Sequence, residues 1–64
     1  MLDLIKDMFT QLGIDPIYTE VKGIIYVNVR KSYLHYDEIE PFTKYNSFKG
    51  ISAVDGQLLM QFIA

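Results

Sequence analysis

Pro16–Arg30 reads PIYTEVKGIIYVNVR, and the register of this stretch decides the fold. Ile, Val, Tyr and Thr dominate it, and such residues suit the pleated, half-buried surface of a strand. Lys22-Gly23 lies near its middle, so the stretch predicts a hairpin. Two registers are open. A two-residue Lys22-Gly23 loop sets Glu20 beside Ile25 and Val27 on one face. A three-residue loop, Val21-Lys22-Gly23, is a type I turn ending on a left-handed glycine. It puts Ile17, Thr19, Ile25, Val27 and Val29 on a core face, and Tyr18, Glu20, Ile24, Tyr26 and Asn28 on the other. The second register is the expectation, because it keeps the carboxylate out of the core.

A second hairpin is written in ISAVDGQLLMQFI, Ile51–Ile63. Asp55-Gly56 is a preferred pair for a two-residue type I′ turn. That turn places Ile51, Ala53, Leu58, Met60 and Phe62 on the core face. Ser52, Val54, Gln57, Leu59, Gln61 and Ile63 take the other.

Two helices complete the pattern. In LDLIKDMFTQL, residues 2–12, apolar side chains recur at Leu2, Ile5, Phe9 and Leu12, with Leu4 and Met8 widening the stripe. This is the helical period. Asp3 and Asp7 suit the positive end of the helix dipole. Gly13 fits a left-handed stop, and Pro16 bars continuation. The second helix is expected from Pro41, favoured at a first helical position, through PFTKYNSFK with Phe42, Tyr45 and Phe48 on one face and Gly50 as its stop. An earlier beginning with Asp37 as cap and Glu40 three residues on is the alternative, and a short turn at 37–40 leading into the helix at Pro41 reconciles the two. The order α-β-β-α-β-β, with hairpin pairing throughout, predicts an α+β domain: an antiparallel sheet with helices on one face.

The chain has 64 residues, which is one domain. A chain so short buries only about 60% of the surface its unfolded form exposes. There is no cysteine and one histidine, so disulfides and thiolate zinc sites are excluded. Half the residues are hydrophobic. Self-association is then the expected extra support, as a homodimer. Eight acids and six bases give a net charge of −2. A nucleic-acid binder needs a positive surface to displace counterions, and only Arg30 and Lys31 adjoin one another. No apolar run approaches the roughly 20 residues that span a bilayer, and the acidic start is unlike a signal peptide. The expectation is a cytoplasmic protein beginning at its own Met.

YLHYDEIEP, Tyr33–Pro41, gathers the one histidine with Asp37, Glu38 and Glu40. An acid–base couple needs a group titrating near working pH and a placed partner; the residue types are present, but no motif frames a nucleophile at Ser32, Ser47 or Ser52. The carboxylates also suit the start of a helix, and that reading is preferred. A metal site from His35, Asp37 and Glu40 would hold a single histidine. The four glycines lie singly, so no phosphate loop is present. Catalytic residues, metal and cofactor are accordingly expected to be none. A small enzyme or ligand binder with His35 at a subunit boundary is the second reading, and a nucleic-acid binder, which the charge balance disfavours, is the third.

Tyrosine is enriched at interfaces. Tyr18, Tyr26, Tyr33 and Tyr36 are therefore the expected contacts with a larger protein. Ile24, Val54, Leu59 and Ile63 on the second sheet face are the expected dimer interface. In size, acidity and lack of a catalytic motif the chain resembles the small stand-alone phage proteins that inhibit bacterial defence systems. The resemblance covers size and composition and rests on no particular residue. It implies an inhibitor that occludes a surface of its target.

Overall fold

The computed structural model describes residues 2–64, the side chain of Leu2 excepted, so the part expected of Leu2 in the first helix's stripe lies outside the described residues. The order is α1 (Leu2–Gln11), β1 (Ile17–Val21), β2 (Ile24–Asn28), α2 (Tyr36–Thr43), β3 (Phe48–Val54) and β4 (Gln57–Ile63). The α-β-β-α-β-β order and the antiparallel sheet are as the sequence predicts. The sheet runs β1-β2-β4-β3. Each hairpin pairs locally, and β2 meets β4 antiparallel at the centre, Ile25 opposite Phe62 and Val27 opposite Met60.

Helix α1 ends as its glycine predicts. Gly13 is left-handed at φ 74°. The Gly13 N–H donates to the Thr10 carbonyl and the Ile14 N–H to that of Phe9, both at 3.0 Å. This is the Schellman arrangement, which satisfies carbonyls left over at a helix end. It turns Ile14 back into the core beside Phe9.

The first hairpin takes the other register. Val21 pairs with Ile24, Thr19 with Tyr26 and Ile17 with Asn28. Lys22 and Gly23 alone form the loop, at φ 52° and 80°, the signs of a type I′ turn. Tyr18 and Glu20 therefore share the inner face with Ile25, Val27 and Val29, while Ile17 and Thr19 point outward. The expected core positions of Ile17 and Thr19 are corrected, and so is the outward placement of Tyr18. The physical reason is non-local: the inward Tyr18 ring meets Phe9 edge-on at 6.3 Å. Glu20 tolerates the inner side because β1 is an edge strand and the residue stays exposed there.

Helix α2 begins five residues before the expected Pro41. His35 is its cap residue, with extended angles of −71° and 150°. The Glu38 carboxylate accepts the His35 N–H at 3.0 Å, and the His35 carbonyl accepts the Glu38 N–H. Pro41 lies inside the helix, and the chain leaves it by Lys44, so Phe48 opens β3 instead of closing a helix face. Gly50 adjoins a bulge between Phe48 and Gly50 and is no helix stop.

The core consists of Ile5, Phe9, Ile14, Ile25, Val27, Val29, Leu34, Phe42, Met60 and Phe62. Phe42 of α2 meets Phe62 of β4 at 5.9 Å, and Phe48 meets the same ring at 5.5 Å. Both helices thus supply the layer over the inner face. Among the described residues, no helix is long and apolar enough to cross a membrane.

Candidate protein interface

The outer face of the sheet is built by strand alternation. It carries Ile17, Thr19 and Val21 from β1, and Ile24, Tyr26 and Asn28 from β2. From β4 come Gln57, Leu59, Gln61 and Ile63, and from β3 Gly50, Ser52 and Val54. None of these positions bears a charge. Of the strand charges, Glu20 lies on the inner face, whereas Lys49, in the bulge beside Gly50, stands opposite Gln61 at a corner of the outer face.

Rows across the strands give the face its texture. Val21, Ile24 and Ile63 align at one end, and Val21 and Ile63 are 47% and 51% exposed. Tyr26 sits one row in, between Thr19 and Gln61. Next, Ile17 and Leu59 flank Asn28. The polar groups bond to one another: Asn28 Nδ2 donates to Gln57 Oε1 at 3.1 Å, and Gln61 Nε2 to Ser52 Oγ at 2.9 Å. Amides already paired cost less to cover, since burial leaves fewer polar atoms unmet. Interface cores are depleted of charge, and this face carries Lys49 alone, at its bulged corner, with Tyr26 as its one aromatic ring. Ile24, Val54, Leu59 and Ile63 all lie on it, as expected from the sequence.

The four tyrosines do not form one patch. Tyr26 is on the outer face. Tyr18 is on the inner face, against Phe9, with Lys6 Nζ 5.2 Å from its ring centre. Burial, and then the charge of Asp15, raise the Tyr18 phenol above its ordinary pKa. Tyr33 and Tyr36 lie at the entry to α2, 66% and 70% exposed. The Tyr33 hydroxyl is 3.2 Å from His35 Nδ1, and the two rings meet edge-on at 5.1 Å. Tyr33 and His35 form an aromatic knob apart from Tyr18, and Tyr36 follows as the first residue of α2.

His35 is exposed, and its ring partner is a tyrosine, not a carboxylate. Glu38 bonds its backbone, and Glu40 lies 3.7 Å from Lys44. Among the described residues no three metal-ligating side chains gather, and no pocket is present. The carboxylates of this segment thus act on the helix: one closes its first turn and another pairs along its side.

Sequence reasoning found Ile24, Val54, Leu59 and Ile63 on the outer face but not Ile17 and Val21, and it set Glu20 there. The missed signal was the register of β1, since the three-residue loop would have placed Glu20 outward. Comparison with protein-family models, with curated proteins and with solved structures gave no match.

Proposed function

We propose that this chain is a non-enzymatic protein-binding module, working as a homodimer, which uses the outer face of its sheet to occlude a surface of a larger protein. One observation carries the reading: the sheet face opposite the helices bears apolar groups, one tyrosine and self-paired amides, and its one charge, Lys49, stands at the bulged corner. The solvated face of an antiparallel sheet is ordinarily polar, so the apolar groups of this one suit cover by an apolar protein surface. Tyr26 lies toward its middle and is the anchor. Tyr33 and Tyr36 form a second contact at the helix entry. Inhibition of a bacterial defence protein by a phage-borne domain is the setting that size and composition suggest, and occlusion by a rigid face is a means suited to it.

The test is a Lys placed at Tyr26. Proteins retained by the native chain but released by Tyr26→Lys are identified, and the complex is rebuilt from purified parts. A charge in the centre of the face is expected to weaken that complex at least about thirtyfold, in line with the roughly 2 kcal/mol or more lost at an interface anchor. Equal affinity of a folded Tyr26→Lys variant would remove the outer face from the reading.

A further inference from the structure

We infer that two copies join through the free edges of β3, antiparallel, about a two-fold axis at Ser52, leaving the outer faces open. This deepens the binding-module reading by naming how the dimer forms. Strand β3 ends the sheet, so one side of its backbone has no neighbour strand. Antiparallel pairs alternate between hydrogen-bonded and non-bonded. Val54 and Gln57 flank the two-residue turn and exchange bonds, so Ser52 and Leu59 do as well. Ile51 and Ala53 therefore turn their N–H and C=O groups outward.

An open edge invites another strand, and proteins usually blunt it with charge or a bulge. The β1 edge is five residues long and carries Glu20. Along β3 the bulge is confined to the Phe48–Gly50 end; Gly50–Val54 carries no charge, and the charges flank it: Lys49 at one end and Asp55 in the turn at the other. With Ser52 on the axis, the outward backbone groups of Ile51 meet those of Ala53 in the second copy. Lys49 then approaches Asp55 of the second copy, at both ends of the pairing. Val54, 50% exposed, comes opposite Gly50 of the second copy, beside which a Cβ would meet nothing within 4 Å. Large side chains thus face small ones: Val54 faces Gly50, and Ile51 faces Ala53. Moving the axis to Ile51 sets Lys49 against Ala53, and moving it to Ala53 sets Asp55 against Ile51. Both shifts lose the charge match. Of the residues expected at a dimer interface, Val54 takes part, while Ile24, Leu59 and Ile63 stay on a face that now continues across both copies.

The experiment is light scattering on a sizing column over a wide dilution range, with circular dichroism to verify folding. The native chain is expected to dimerise. Ala53→Pro removes an N–H that points away from β4, on the free edge, so the variant is expected to fold and to run as a monomer. Lys49→Glu sets like charges together twice and is expected to weaken the dimer roughly tenfold. Adding Asp55→Lys should restore it, and Lys22 already holds the equivalent turn position at φ 52°. If Ala53→Pro does not fold, the loss and rescue by the charge pair decide the matter. A native chain that stays monomeric throughout, or a dimer indifferent both to a folded Ala53→Pro and to charge exchange, overturns the inference. Tyr26→Lys is expected to leave the dimer intact, so failure of the partner reading is separable from failure of this one.

Discussion

The rings of Phe9 and Phe42 stack with centroids 4.5 Å apart and planes inclined at 26°. One belongs to α1 and the other to α2, so this contact locks the two helices together. Beneath it, Phe9 touches Tyr18 of β1 and Phe42 touches Phe62 of β4. The pair therefore ties both helices to strands of both hairpins.

Phe42→Ala is expected to unfold the domain. Loss of a buried phenylalanine costs about 3–5 kcal/mol. A domain this size has roughly 3–10 kcal/mol of stability in all. Far-ultraviolet circular dichroism in a urea titration checks this. Phe42→Leu, which refills much of the space, should retain the fold with a lower midpoint.

The opening of α2 gives a contrast between neighbours. Glu38→Ala removes the acceptor of the His35 N–H and is expected to cost about 1 kcal/mol. His35→Ser supplies a better cap side chain and is expected to hold or raise stability. Chemical denaturation of both variants checks the pair. A large loss from His35→Ser would show that the ring does more than stand beside Tyr33.

Tyr18 predicts a response to alkali. Burial and Asp15 disfavour its phenolate, so its pKa is raised in the fold. The folded state then holds the proton more tightly than the unfolded chain. That contribution is fully present below the unfolded value of about 10 and is lost as pH rises through the higher folded value. Absorbance titration should find one of the five tyrosines ionising late. Asp15→Asn should bring it only part of the way back, since burial is the larger cause. Tyr18→Phe should remove this component of the alkaline destabilisation.

What could be read from the chain depended on whether the deciding interaction was local. The stop at Gly13 and the turn at Asp55-Gly56 are set within a few residues, and both were legible. The hairpin of β1 and β2 turned on one loop residue. Local preference disfavours Lys at a left-handed angle, and the Phe9–Tyr18 contact outweighs it across some ten positions of sequence. The three-residue loop sets Glu20 on the outer face, whereas the two-residue loop of the fold turns it inward at the sheet edge. The start of α2 was missed in a similar way. Proline's preference for a first helical position is real, but Glu38 closing on His35 fixes an earlier beginning and leaves Pro41 within. The tyrosines were read as one class of residue, and only the fold could divide them between core support, sheet face and helix entry.

The place of β4 in the sheet has a kinetic consequence. The strand latest in sequence lies between β2 and β3, with Ile24 opposite Ile63. Each hairpin closes over a two-residue turn, on the microsecond scale of such events. Uniting them requires a closure that carries α2 across the gap, and long-range closure slows folding. The rate-limiting step should therefore be the meeting of two preformed hairpins, and a nascent chain released only as far as β3 would have half a sheet and no complete core to fold around.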